Sequence, residues 1–248
     1  MIDLHCHLLP DVDDGPRTLA DALELARMSV ADGITDAVVT PHLMPRTAQH
    51  TWPRILASYE ALRQSLQEQA IPLNLHLAAE VRISGELPAL VTRGQLPVLG
   101  RFLDQPVHLL EFPHTEALPV GSDQLMSWLT RQRLIPLLAH PERHLTFQRH
   151  PDRLDAFTEA GCLLQVTAGS LLGQFGRAAR KLALDLLNAE RIAVLASDAH
   201  SVADRPPNLT AAFKYVSNHC GNIIANRLLY DTPAQLLGIT PAASRNPS

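Results

Sequence analysis

Cysteine is scarce. The three present, Cys6, Cys162 and Cys220, are odd in number and far apart, which argues against a disulfide framework and a thiolate-rich zinc site. Lysine is scarcer still, with only Lys181 and Lys214, and the net charge is −4. With no basic stripe and aromatics at 4%, the chain lacks the charge and stacking groups that nucleic-acid binding leaves behind. No run of 18 or more apolar residues occurs, so no segment reads as a membrane-spanning helix and direct membrane insertion is not expected. Polar chemistry begins at Asp3, where a secretory signal would still be apolar. The expected location is cytoplasmic, with reduced thiols.

What the chain does contain is rhythm. Short apolar or β-branched runs recur at 2–5, 36–40, 73–79, 107–112, 134–140, 162–168 and 192–198, spaced at roughly one β-α unit each. Helical patterns lie between them. In TLADALELARMSVADG, Leu19, Leu23, Ala26 and Val30 fall on one face and Gly33 ends the pattern. Similar stretches begin near Trp52, Pro119, Pro151, Gln174 and Pro207. Alternating strands and helices without a break in composition predict a parallel barrel over residues 1–240 as a single domain, with an open doubly wound sheet as the alternative. The tail at 241–248 is expected to fray.

The polar residues at the predicted strand ends are not scattered. Functional groups of parallel barrels collect at the carboxyl ends of strands, and six of the seven ends here carry His, Asp or Glu: His5 and His7, His42, Glu80, Glu111, His140, and Asp198 with His200. On an extended strand His5 and His7 share a face, while Cys6 between them points away. Imidazoles and carboxylates without thiolate suit divalent ions such as Mn²⁺, Fe²⁺ or Zn²⁺. In "DVDDG" the spacing does not choose between Asp13 and Asp14. Three divalent ions against Asp14, Glu80, Glu111 and Asp198 leave a charge of about +2, which a phosphate dianion would complete.

The ordered motifs "DLHCHLLPDVDDGP", "TPH", "AAEVRI", "LLEFP", "AHPERH", "QVTAGSLLGQFG" and "ASDAH" closely resemble the PHP-domain (polymerase and histidinol phosphatase type) phosphoesterases. Within them, they resemble the bacterial manganese-dependent protein-tyrosine phosphatases of capsule and exopolysaccharide clusters. The resemblance spans nearly the whole chain. It implies a distorted seven-stranded (β/α)7 TIM-like barrel of the PHP fold holding three metal ions. The first ion would take His5, His7, Glu80 and Asp198; Glu80 would bridge to a second, completed by Glu111 and His140; the third would take Asp14, His42 and His200. Arg143 and Arg205 carry over as phosphate-binding residues, their planar fork suiting phosphate oxygens. The implied substrate is a tyrosine-phosphorylated protein, in particular a bacterial tyrosine autokinase. His50, His114 and His144 match no ligand position and are expected at the surface.

The expected mechanism is direct attack of a metal-bound hydroxide on phosphorus, without a phosphoenzyme. Thiol-dependent tyrosine phosphatases place an arginine six residues after the nucleophile, but positions 12, 168 and 226 are Val, Ala and Asn. Amidohydrolases also begin with His-x-His, yet Glu111 stands where a bridging lysine would. A histidinol-phosphate or other small phosphate-ester phosphatase is the remaining alternative. Purely structural metals would close their coordination to solvent, whereas nine ligands shared by three ions leave open positions.

Overall fold

The computed structural model describes residues 1–113 and 117–240, so the expected tail and His114 lie outside the described residues. Ten strands form among them: β1 (Ile2–Cys6), β2 (Asp36–Val39), β3 (His42–Leu43), β4 (Asn74–Leu77), β5 (Glu80–Arg82), β6 (Gly100–Phe102), β7 (Gln105–Glu111), β8 (Ile135–Ala139), β9 (Leu163–Thr167) and β10 (Val194–Ala196). β1, β2 and β4 pair in parallel, as do β10, β9, β8, β7, β5 and β3 in that order; only β6 runs antiparallel, on β7.

These strands make seven staves, because β2 with β3 and β4 with β5 are single extended segments interrupted by residues 40–41 and 78–79. Pro41 cannot donate to a ladder, and there the chain passes from one sheet to the other. The backbone bonds Ala78 N to Val39 O (3.0 Å) and Glu80 N to Pro41 O (3.1 Å) carry the pairing across the gap. The ring closes between first and last staves, where Asp198 N donates to His5 O and His7 N to Ala199 O, both at 2.8 Å. That closure rules out the open-sheet alternative.

β1 contains a bulge. Its register on β2 runs Asp3 to Ala37 and then Cys6 to Val39, so Leu4 and His5 together stand opposite Val38. Leu4 joins a small apolar cluster with Val38, Leu109, Leu137 and Val194, drawn from alternate positions around the staves and therefore inside the barrel. Cys6 packs instead in the larger cluster between staves and helices. The helices cover that outer layer. Thr18 caps Leu19–Ala31, accepting from Asp21 N at 3.2 Å. Its buried face is Ala22, Leu23, Leu25, Ala26 and Ser29, whereas Leu19, placed inside by the sequence pattern, is 38% exposed in the first turn. The second helix starts at Ala48, ahead of Trp52, with Pro53 in its second turn.

The bottom of the barrel is stoppered by the helix Thr232–Leu237, the last among the described residues, whose Ala234 and Leu236 enter the inner cluster. β6 lies directly on it: a Cβ at Gly100 would sit 2.3 Å from the Leu236 carbonyl oxygen. Gly100→Ala should therefore cost about 2 kcal/mol of stability through overpacking. Urea denaturation measures it, and an unchanged midpoint would mean that the helix end yields.

Candidate metal centre

The polar strand ends converge at the opposite mouth. His5, His7, Glu80, Glu111, His140, Asp198 and His200 are all buried. His140 and Asp198 adopt positive φ, 33° and 52°, a conformation that costs a non-glycine residue about 1 to 3 kcal/mol and is kept where it aims a side chain. Gly15 is dictated by close approach, since a Cβ there would lie 2.6 Å from the His7 carbonyl oxygen. This contact folds the loop after β1 over the mouth.

Four side chains enclose one point. His5 Nε2 lies 3.2 Å from His7 Nε2 and 3.4 Å from both Glu80 Oε2 and Asp198 Oδ1; His7 Nε2 lies 3.4 and 3.6 Å from the same oxygens. The other ring nitrogens are already engaged: His5 Nδ1 with Gln165 Oε1 (2.8 Å) and His7 Nδ1 with the Asp13 carboxylate (2.7 Å). These acceptors assign the proton to Nδ1 and leave two Nε2 lone pairs facing each other and two carboxylate oxygens. Such a set has one good occupant, a cation. Tetrahedral edges of about 3.4 Å correspond to metal–ligand bonds of about 2.1 Å, so the residues fit the group that the donor chemistry calls for.

Two neighbouring groups share members with the first. Asp14 Oδ1 lies 3.4 Å from His42 Nε2 and 3.3 Å from His200 Nε2, with His7 completing that set. His200 Nδ1 donates to the Asp198 carbonyl at 2.9 Å, which again leaves Nε2 for a ligand. On its other side His42 Nδ1 approaches Glu80 Oε2 (3.0 Å) and Glu111 Oε1 (3.1 Å). His42 Nδ1 and Glu80 Oε2 are buried without a hydrogen bond, a second sign of a cation-binding set. His140 Nε2 engages Glu80 Oε1 at 2.7 Å. His42 thus stands beside Glu111, and His140 adjoins the same Glu80 carboxylate.

The electrostatics follow from this crowding. Burial works against charge on His7 and His42, yet the surrounding carboxylates overcome it and raise them to about 9 and about 12. Glu80 and Asp198 are also penalised by burial, but the imidazoles, and for Asp198 the two arginines, hold them well below the usual range. Protons compete for this site, so cation binding strengthens as pH rises.

Both predicted arginines reach Asp198: Arg143 Nη1 and Arg205 Nη2 donate to its Oδ2, the oxygen facing away from the imidazoles. Arg143 sits in the turn Pro141–Arg143, pinned by its neighbour Glu142, whose Oε1 accepts from Ser170 Oγ (2.6 Å) and Thr167 N (3.1 Å). Burial pushes the Glu142 carboxyl up to about 7 from about 4.5. For an acid whose folded pKa is raised, the folded state holds more protons, so stability falls as pH rises from the unfolded value through the folded one. Glu142→Gln cannot ionise, and wild type should lose about 3 kcal/mol relative to it between pH 4 and pH 8. Urea melts at both pH values test this; parallel losses would contradict it.

All eleven predicted site residues meet at this mouth. The geometry separates Asp14, which faces His42 and His200, from Asp13, which orients His7 and accepts His42 N at 3.0 Å. Asp13, which the spacing left open against Asp14, takes this orienting role; Gln165 was missed by sequence reasoning, and could have been found as the one amide in the apolar run of β9. Asp3 was missed as well. Its carboxylate accepts from Ser197 N at 3.0 Å and ties the first stave to the last. Arg82, also missed, pairs with Glu111 Oε1 at 2.9 Å. His50 is exposed as expected, but His144 is buried. Its Nδ1 accepts from Thr146 N to cap helix Leu145–Arg149, and its ring packs on Phe112 and Phe147.

A family model described as capsular polysaccharide synthesis, CpsB/CapC, matches residues 1–238. The tyrosine-protein phosphatase YwqE of Bacillus subtilis is 36% identical over 205 residues, 83% of this chain and 79% of its own. A crystal structure from work on YwqE and on CpsB of Streptococcus pneumoniae, described as metal-dependent tyrosine phosphatases, superposes with a TM-score of 0.84 at 32% identity, covering 99% of this chain and 98% of that one. A β-aspartyl dipeptidase from Fervidobacterium islandicum shares the fold alone, with a TM-score of 0.55 and 14% identity over 96% of this chain and 72% of that one.

Proposed function

The chain belongs to the CpsB/CapC family of capsular polysaccharide synthesis, and on that premise we propose that it is a metal-dependent phosphatase that hydrolyses phosphotyrosine on proteins, its substrate being a tyrosine autokinase of capsule or exopolysaccharide production. One observation carries the reading: nine imidazole and carboxylate side chains meet at one mouth of the barrel, with two arginines at their edge. The family relationship to proteins named tyrosine phosphatases supports the substrate class.

The proposed cofactors are three Mn²⁺ ions. The first would be held by His5, His7, Glu80 and Asp198, the second by Glu80, Glu111 and His140, and the third by Asp14, His42 and His200. When bound they supply an activated water and Lewis-acid stabilisation of the phosphoryl group. The protein's own groups do the rest. Asp13 and Gln165 hold the imidazoles of His7 and His5 in the ligating tautomer. Arg143 and Arg205 turn their forks to the phosphoryl oxygens and offset the charge that builds there. A tyrosine leaving group, a phenol of pKa about 10, departs without a strong acid beside it. The Asp14 side chain is 61% exposed, which leaves the cluster open to a residue carried on another protein.

No cysteine has a place in this scheme. Cys6 is buried, with Sγ donating to Val38 O at 3.4 Å, and burial pushes its thiol well above the ordinary range, so the thiolate that attacks phosphorus is not formed. Cys6→Ser should stay within about threefold of wild type, since the change is nearly isosteric and the thiol packs in the outer cluster, away from the ligand atoms. A folded, metal-loaded but inactive variant would reopen the covalent route.

The function is tested with purified Mn²⁺-loaded protein on phosphotyrosine peptide, phosphoserine peptide, histidinol phosphate and single-stranded DNA. The expected kcat/KM is highest on phosphotyrosine by about two orders of magnitude, roughly 2.7 kcal/mol of transition-state discrimination. Equal or faster hydrolysis of histidinol phosphate would overturn the substrate assignment.

A further inference from the structure

Phe175 lies where both arginines meet. The Cζ of Arg143 is 4.3 Å from its ring centroid and that of Arg205 is 5.7 Å away, so one aromatic ring borders both guanidinium groups. Among the described residues it packs in neither apolar cluster.

The loop that carries Phe175 is built to hold it there. Gly173 and Gly176 flank it at φ of 90° and 86°, a region open to glycine at little cost. Gln174 N donates to Gly169 O at 2.9 Å. A Cβ on Gly169 would lie 2.3 Å from Gln174 Oε1 and 3.0 Å from Phe175 Cε2. Each arginine-bearing segment is also tied to this loop or to the short helix Ala168–Leu171 that leads into it. Glu142, next to Arg143, is joined to Ser170 as described, and Asn208, three residues past Arg205, donates from Nδ2 to Gln174 Oε1 at 3.0 Å. Two guanidinium groups donating to a single carboxylate oxygen repel each other. An aromatic face, the negative part of the ring quadrupole, offsets that repulsion.

We propose that Phe175 is a positioning residue for anion binding: its ring holds Arg143 and Arg205 side by side, so that a phosphate dianion meets two forks already in place. The inference rests on the phosphatase reading only for the identity of the anion. Preorganisation of this kind is worth most in affinity for the dianion itself.

The test uses Mn²⁺-loaded wild type, Phe175→Tyr and Phe175→Leu, with Phe175→Met as the second non-aromatic variant should the leucine protein not be recovered folded. Inorganic phosphate binding is measured by calorimetry, hydrolysis of p-nitrophenyl phosphate as kcat and KM, and metal content and Tm in parallel. The non-aromatic variant should bind phosphate about five- to tenfold more weakly, with metal content unchanged, while tyrosine stays within twofold. Phosphate binding within twofold of wild type in the non-aromatic variant would overturn the proposal, as would an equal loss in the tyrosine variant. A wild type that binds phosphate through Phe175 but leaves phosphotyrosine peptide intact would refute the functional reading and not this one.

Discussion

Chelation should reduce phosphotyrosine hydrolysis at least a thousandfold, and Asp198→Asn should match that loss without a chelator. Asp198 works on two fronts: Oδ1 lies 3.4 and 3.6 Å from the Nε2 atoms of His5 and His7, while Oδ2 receives both arginines. An amide presents one oxygen and one NH2 group. In either orientation a donor is turned towards a cation, against the ion-binding set or against the guanidinium pair, and a buried negative charge is lost. The ions are expected to supply several kcal/mol of transition-state stabilisation, and each 1.36 kcal/mol is about tenfold in rate. Elemental analysis beside steady-state rates decides the matter. If the asparagine variant kept its full metal content and more than a tenth of the activity, Asp198 would serve the arginines alone. Undiminished turnover in metal-free protein would remove the ions from the reaction altogether.

Arg143→Lys should lower kcat/KM by one to two orders of magnitude with metal content unchanged, and Arg143→Ala by more. Lysine keeps the charge but loses the planar fork and the stacking on Phe175. A charge-assisted hydrogen bond made in the transition state is worth about 1.5 to 3 kcal/mol, which sets that range. Arg205→Lys should lose less, because its guanidinium is farther from the ring, 5.7 Å against 4.3 Å. Inorganic phosphate should inhibit wild type more strongly than either variant. Unchanged kcat/KM and unchanged phosphate inhibition in both lysine variants would show that the arginines serve Asp198 and never reach the substrate.

The seven staves were legible because barrel strands are buried on both faces and read as apolar runs that stop at a polar residue. The same stops located the ligand-type side chains. What stayed hidden depends on contacts distant in sequence. β6, Gly100–Phe102, carries Arg101 and no apolar run, and exists because it pairs with β7 and rests on the last helix. Asp13 and Asp14 have the same chemistry, and only the path of the loop over His7 distinguishes them. His144 looks like a surface residue until Phe112 and Phe147 enclose it. Asp3 and Gln165 are polar residues inside strand runs, a pattern that signals a buried partner without naming it. Nor can spacing express that His42 turns one ring nitrogen to Asp14 and the other to Glu80 and Glu111, a matter of side-chain direction.

The extra residue in β1 governs elevation more than orientation. Leu4 and His5 share a face, so a chain lacking Leu4 would restore plain alternation and still direct both histidines inwards. Each would, however, sit one residue lower, about 3.3 Å, which is as much as the whole 3.2 to 3.6 Å separation between the ligand atoms they now serve. Glu80 and Asp198, fixed on other staves, would not descend with them. A substitution at Leu4 alters the floor of the barrel, but its excision takes His5 and His7 out of the plane in which the other ligands wait.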